Sequence, residues 1–370
     1  MLQKHAIAAR ETLKRMTPYT PGKPIWEVQK EYGLEKVIKL ASNENPLGPS
    51  PKALEAIRRM LPEIHRYPDN RASALVEELS SHYGLEKECL IVSNGGDELI
   101  TLVSEAYLNP GDEIVVPQPV FSEYEFGATL MEANTVKVPL DEHWQYDIDR
   151  LLAAVTDKTK IVYLCSPSNP TGTYLKKDRL RDLLAKLPPR VLVVLDAAYH
   201  PFADAPDYTN GLEFVKEGFP VIVLQTFSKI YGLAGIRIGF GAAPADVIRT
   251  LLQVKEPFNV NALAQAAAVA ALGDEAFVQA SIAANGAGRR QLYAGFEALG
   301  ISFVPSMSNF VWVRFGPEAD AIYEELMKRG IVIRSGRGWG FPDYARISVG
   351  SEEDNEAFLN ELGKLAGKIR

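Results

Sequence analysis

The residues best placed to do chemistry are a lysine and its neighbours near position 229. Val221-Ile222-Val223-Leu224 reads as a short buried strand, Ser228 and Lys229 stand just past it, and Arg237 follows eight positions later. A lysine held partly out of water loses basicity and becomes an amine nucleophile. The chemistry that calls for such an amine is Schiff-base formation with an aldehyde cofactor. Ser228 and Arg237 would then be anion ligands for that cofactor's phosphate. Taken alone, the segment is better explained as a surface lysine in a Gly-rich loop.

Other strand ends carry residues of the same kind. Leu90-Ile91-Val92-Ser93 runs into Asn94-Gly95-Gly96-Asp97-Glu98 and a helix pattern through Leu108. Two glycines at such a turn let backbone N–H groups approach a phosphate. A helix capped by Asn94 or Asp97 explains the same residues equally well. The spacing is neither a dinucleotide fingerprint nor a P-loop. Asp196 ends the apolar run Val191 to Leu195, where an unpaired carboxylate is costly to bury. It is a cap or surface residue, or else the partner of a buried cation, with Tyr199 three positions on. Asn169 lies in a Ser166-to-Gly172 turn whose composition suits a plain loop. Phe121 is either core or a ring laid over a flat ligand.

These residues need a scaffold that gathers strand ends. Between 110 and 241, short Val/Ile/Leu runs alternate with helix patterns. Strands are expected at Glu113–Val116, Thr135–Val138, Lys160–Cys165, Val191–Asp196 and Pro220–Leu224. Helices are expected at 122–132, 148–155 and 177–187. Apolar runs without alternation belong to strands buried on both faces, hence to a mostly parallel sheet covered by helices. Sites in such folds form at the carboxyl ends of strands. Residues 244–299 read as helices. The remainder, with strands at 310–315, 331–334 and 346–349 and helices at 317–328 and 353–366, reads as a smaller α+β lobe. Residues 1–40 look like a helical arm and a Pro-rich linker, and Ser50-Pro51 starts a helix.

Composition narrows the function classes. The chain has 370 residues, 46% hydrophobic, with a net charge of −7 and no basic run, which argues against nucleic acid as a partner. No apolar stretch approaches the ~20 residues of a membrane span, and no signal-peptide pattern is read at the start. Two cysteines, Cys89 and Cys165, sit in apolar surroundings. They read as small buried hydrophobes, so a reducing cytoplasm is expected. Five scattered histidines lack metal-ligand spacing, so no metal is expected.

Taken together, Asn169-Pro170-Thr171-Gly172, Asp196-x-x-Tyr199 and Ser228-Lys229 with Arg237 resemble the fold type I pyridoxal-phosphate aminotransferases. The closest likeness is to the histidinol-phosphate aminotransferase family. It is carried also by Pro18-Tyr19-x-Pro21-Gly22-Lys23-Pro24, Leu40-to-Pro46, Arg66-Tyr67-Pro68-Asp69, Asn94-Gly95-x-Asp97-Glu98 and Arg346-Ile347-x-Val349-Gly350. The resemblance implies an α/β fold: a large domain (41–275) with a mostly parallel seven-stranded sheet, a smaller α+β domain (276–370), and a first segment (1–40) serving as arm and part of the small domain. It implies pyridoxal 5'-phosphate as cofactor. Lys229 would bind it covalently and shuttle a proton, Asp196 would pair with its ring nitrogen, and Asn169 and Tyr199 would hydrogen-bond its ring oxygen. Phe121 would stack on the ring. Gly95, Gly96, Asp97, Ser228 and Arg237 would hold its phosphate, joined by Tyr67 from the second subunit of a homodimer. Tyr19, Asn43, Arg334 and Arg346 would meet substrate.

The implied reaction moves an amino group between glutamate/2-oxoglutarate and imidazole acetol phosphate/histidinol phosphate, in histidine biosynthesis. An aromatic amino-acid aminotransferase is the nearest alternative, and a threonine-phosphate decarboxylase a further one. A pyridoxal-phosphate-sensing regulator would need a separate DNA-binding domain, and a nicotinamide dehydrogenase a dinucleotide fingerprint. The sequence departs from the family pattern at Ala197, where an acid is usual, at His200 (an aromatic), at Gly96 (a serine) and at Phe121 (a tyrosine). These put fine substrate preference in question, not the chemistry.

Overall fold

The computed structural model describes residues 7–16, 18, 22–365 and 367. Helix Ile25–Tyr32 ends on Gly33, whose φ of 68° only a glycine adopts readily. It leads to a two-residue strand, Ile38–Lys39 (β1). Ser50 then caps helix Pro51–Met60, its side chain accepting from the Ala53 N–H, with proline at the first helical position, as the sequence predicts.

Seven strands form the large sheet: Leu90–Ser93 (β2), Glu113–Gln118 (β3), Asn134–Pro139 (β4), Thr159–Cys165 (β5), Leu192–Asp196 (β6), Val221–Thr226 (β7) and Gly239–Ala242 (β8). Their order is β2-β8-β7-β6-β5-β3-β4. All neighbours are parallel except β8, which runs antiparallel to both β2 and β7. Successive side chains of β6 and β7 enter opposite layers. Val193, Leu195, Val221 and Val223 join one core cluster, and Leu192, Val194, Ile222 and Leu224 the other. Each such side chain contributes ~1.5–3 kcal/mol by leaving water.

Strand β8 is the one strand of this sheet that apolar patterning does not reveal. Its sequence is Gly-Phe-Gly-Ala, and glycine weakens a strand signal. The reason for glycine is space: a Cβ on Gly241 would lie 2.7 Å from Leu99 Cδ2, and one on Gly239 would lie 2.9 Å from the Gln225 carbonyl oxygen.

A second, antiparallel sheet holds Ser302–Val304 (β9) and Phe310–Arg314 (β10). The stretch 331–334, expected as one strand, divides in two. Ile331–Val332 (β11) pairs in parallel with β1, whereas Arg334–Ser335 (β12) pairs with Tyr344–Ser348 (β13). The second sheet runs β12-β13-β10-β9. Val311, Val313 and Ile347 pack into a core with Leu292 and Phe296 of helix Glu275–Ala298 and Phe358 of helix Glu352–Gly363. The alternate residue Phe310 instead meets the Tyr199 ring at 5.0 Å, nearly perpendicular. This alternation turns the other face of the small sheet toward the strand ends of the large one. Among the described residues no single helix is long and apolar enough to cross a membrane.

Candidate active site

The carboxyl ends of β5, β6 and β7 and the turn after β2 open into one cleft of about 230 Å³. Ser228 and Lys229 reach it from the loop after β7, Asp196 and Tyr199 from the end of β6, and Asn169 from the loop after β5. Phe121 comes from the loop after β3, and Gly96 and Asp97 from the helix start after β2. Arg237, Asn43, Arg334 and Arg346 line it as well. Three expected residues are not among them: Gly95, which sits just behind the helix start, Tyr67 and Tyr19. Tyr67 is 84% exposed, its ring stacked 4.8 Å from that of Phe258. Tyr19 lies outside the described residues.

Lys229 is not a surface lysine. Burial, and after it the Arg346 guanidinium, brings its pKa down from 10.5 to about 8. Its Nζ donates to the Ser42 carbonyl at 3.2 Å and lies 6.0 Å from the centre of the Tyr199 ring. A neutral amine is therefore available near physiological pH.

Asp196 is 6% exposed. Its Oδ2 accepts from the Tyr124 hydroxyl at 2.6 Å and its Oδ1 from the Ala198 N–H at 3.0 Å. Burial raises its pKa, and those two donors work against the rise. Nothing in this geometry caps a helix. A carboxylate held at low exposure on the cleft wall fits a cationic ring N–H. Tyr124 was not legible as a site residue. Its only signal is a position three after Phe121, and its role appears once its ring stacks on Tyr163 of β5, 4.5 Å away and 9° from parallel.

The turn after β2 has features that suit an anion. Helix Gly96–Tyr107 starts behind Gly95, at φ 88° and ψ 172°, without a side-chain cap. Neither Asn94 nor Asp97 caps it, because Gly95 holds the cap position; the Asn94 N–H donates to Glu98 Oε2 at 2.6 Å, and Asp97 Oδ2 takes Arg237 Nη2 at 3.1 Å. A Cβ on Gly95 would lie 2.5 Å from that same Nη2. An uncapped helix start, an arginine and the Ser228 hydroxyl thus share one corner of the cleft, which fits a phosphate.

The opposite wall carries two arginines in register. Arg334 of β12 pairs directly with Arg346 of β13. Arg346 Nη2 donates to the Ala41 carbonyl at 2.7 Å, and its Nη1 donates to Asn169 Oδ1. Asn43 donates from Nδ2 to the Tyr199 hydroxyl at 3.0 Å and accepts from the Ser348 hydroxyl at 2.9 Å. Burial pushes the Tyr199 phenol well above its ordinary range, so it stays a donor. Asn169, Asn43 and Arg346 therefore tie the two sheets together at the cleft.

Known proteins are similar to this chain in sequence and in fold. The family model for aminotransferase class I and II matches residues 35–362. The chain is 46% identical to the histidinol-phosphate aminotransferase of Moorella thermoacetica, over 96% of this chain and 92% of that one. It is 41% identical to the one of Bacillus subtilis strain 168, over 96% and 99%. The crystal structure of histidinol-phosphate aminotransferase from Sinorhizobium meliloti in complex with pyridoxal-5'-phosphate superposes with a TM-score of 0.90, at 26% identity over 98% of both chains. The fold, the strand-end cleft and these likenesses lead to one conclusion: the chain belongs to the class I and II aminotransferases, and within them to the histidinol-phosphate aminotransferase family.

Proposed function

We propose that this protein moves an amino group between glutamate/2-oxoglutarate and imidazole acetol phosphate/histidinol phosphate, using pyridoxal 5'-phosphate, as a step of histidine biosynthesis. The observation that carries this reading is the pairing, in one cleft, of a lysine of lowered pKa with two in-register arginines on the facing wall. The amine serves the transfer, and the arginines serve a substrate with a doubly charged end.

The cofactor supplies an electron sink when bound. The chain's own residues do the rest. Lys229 Nζ would anchor the aldehyde and move the proton at the substrate carbon that carries nitrogen. Asp196, itself held by Tyr124 and the Ala198 N–H, would hold the ring N–H. Tyr199 and Asn169 would serve the ring oxygen, and Phe121 the ring face. The Gly95-Gly96-Asp97 turn, Ser228 and Arg237 would take the phosphate. Arg334, Arg346, Asn43 and Tyr19 meet substrate. Tyr67, exposed here and stacked on Phe258, acts across the interface of a homodimer. The division into a first segment (1–40), a large domain (41–275) and a small one (276–370) belongs to the same reading, supported by the two separate sheets. A cytoplasmic location fits the free thiols of Cys89 and Cys165.

A half-reaction tests the proposal. The purified protein, loaded with pyridoxal phosphate, is mixed with histidinol phosphate or with phenylalanine, and the visible band of the lysine-bound cofactor is followed. Fast bleaching by histidinol phosphate and slow bleaching by phenylalanine is the expected result. The reverse order would make it an aromatic amino-acid aminotransferase, a reading the curated relatives do not favour. No band at all would overturn the site.

A further inference from the structure

Arg334 and Arg346 face each other on adjacent antiparallel strands, where like charges directly opposite repel. One side chain touches both. The ring of Trp339 lies 5.9 Å from the Arg334 guanidinium carbon and 5.3 Å from that of Arg346. The face of an indole is the most favourable aromatic surface for a cation. Trp339 also borders, with Phe121 and Asn169, a recess of about 50 Å³ that both arginines line.

The surrounding turn holds the ring there. Gly336–Trp339 is a short helical turn whose start is capped by Ser335, its hydroxyl accepting from the Arg337 N–H at 3.2 Å. A Cβ on Gly336 would lie 2.3 Å from the Phe341 carbonyl oxygen, so only glycine lets the chain double back over β12 and β13. The indole then rests edge-on against Trp312, 5.6 Å away at 88°, and Trp312 is stacked on Tyr344 at 5.2 Å.

We propose that Trp339 is a positioning residue that holds the two guanidiniums side by side as a clamp for a doubly charged anionic group, and so sets selectivity for such substrates over singly charged ones. The inference rests on the functional reading above for the identity of the substrate, but not for the clamp itself. Arg346 is 6% exposed and is also held by Asn169, Ala41 and the Phe310 ring. Arg334 is half-buried at the mouth of the cleft. Loss of the indole removes the aromatic face that the two guanidiniums share, while Asn169 and Ala41 keep Arg346 in place as an anchor for one carboxylate.

The test compares the holoenzyme with its Trp339→Leu and Trp339→Phe variants, after equal melting temperatures show that both fold. In the holoenzyme the cofactor's own phosphate occupies the Gly95–Arg237 corner, so added inorganic phosphate reports on the clamp. Titration calorimetry is expected to give a Kd for inorganic phosphate about tenfold weaker in Trp339→Leu, the equivalent of two cation–π contacts. Trp339→Phe, which keeps an aromatic face, should stay within about threefold of wild type. In steady state the KM for histidinol phosphate should rise with the same pattern while kcat holds, and the KM for phenylalanine should change little. Equal losses in both variants, equal losses for phenylalanine and histidinol phosphate, or no phosphate binding by the wild type would each overturn the clamp. Phosphate binding with the expected pattern but no turnover of histidinol phosphate would uphold the clamp and sink the functional reading instead.

Discussion

Replacing Gly95 by alanine separates what the turn after β2 does for the fold from what it does for the cofactor. Gly95 sits at φ 88° and ψ 172°, a region essentially reserved for glycine, where a residue with a Cβ costs about 1–3 kcal/mol. That strain is present with or without cofactor. The second effect is local. The new methyl would lie 2.5 Å from Arg237 Nη2 and 3.0 Å from its Cζ, closer than atoms can approach, so the guanidinium must leave its place between Asp97 and the Ala234 carbonyl, each 3.1 Å away. A hydrogen bond to a charged group contributes about 1.5–3 kcal/mol, so displacing Arg237 should weaken pyridoxal phosphate binding about 10- to 150-fold. Thermal melting of the apoprotein reads the strain, and equilibrium dialysis against the cofactor reads the contact. Gly96→Ala is the control, because its Cβ would meet the Leu224 side chain, nearest at Cδ2, 3.0 Å away, and not Arg237. A Gly95→Ala protein with a lowered melting temperature but a cofactor Kd within about threefold of wild type would refute the phosphate cradle and leave the turn as a feature of the fold alone.

Three further outcomes are expected. Asp196→Asn keeps shape and removes charge; turnover should fall at least about 100-fold, while the melting temperature of the apoprotein holds or rises, because burial already disfavours the ionised carboxylate. Capture of pyridoxal phosphate by the apoprotein should speed up as pH rises through about 8: below that value Lys229 carries a proton and has no lone pair, above it the amine is free. A midpoint near 10.5, the value of an ordinary lysine, would mean that Lys229 is not held as described. Lys229→Ala and Tyr67→Ala proteins, each inactive alone, should recover about a quarter of wild-type activity when mixed and refolded together, since half of the dimers are then mixed and each has one intact site of two. No recovery in subunit-exchange assays would remove Tyr67 from the partner's site.

The candidate site residues were legible where polar groups follow an apolar strand end. Lys229, Asp196 and Asn169 each stand where a Val/Ile/Leu run stops, and burial of those runs on both faces is what makes the parallel sheet readable. Strand β8 was not, because close packing against Leu99 and the Gln225 carbonyl demands glycines that erase its pattern. The division of 331–334 into β11 and β12 was hidden for a different reason: its four apolar or basic residues look continuous, and the break depends on partners, β1 and β13, remote in sequence. Tyr124 and Trp339 act through tertiary contacts with Asp196 and the two arginines, which no local spacing encodes. The capping alternative at Asn94 or Asp97 failed because the helix begins at Gly96 behind Gly95, so Asp97 already lies within its first turn, paired with Arg237.

The antiparallel seam at β8 also bears on how the chain comes off the ribosome. Strand β2, which carries the glycine turn, has a single neighbour in its sheet, and that neighbour is residues 239–242. Ser93 aligns with Gly239 and Leu90 with Ala242, so the early strand waits for about 150 further residues to be synthesised. At roughly 5–20 residues per second, that leaves its edge unpaired for many seconds. Strand β1 waits longer still, for Ile331 and Val332. The growing chain therefore holds apolar strands without partners through most of its synthesis, and the cofactor corner closes only after Arg237 and β8 have emerged. Truncated chains ending before residue 239 should accordingly engage chaperones and fail to retain pyridoxal phosphate, and their yield should depend on translation speed more than that of a protein with local strand pairing.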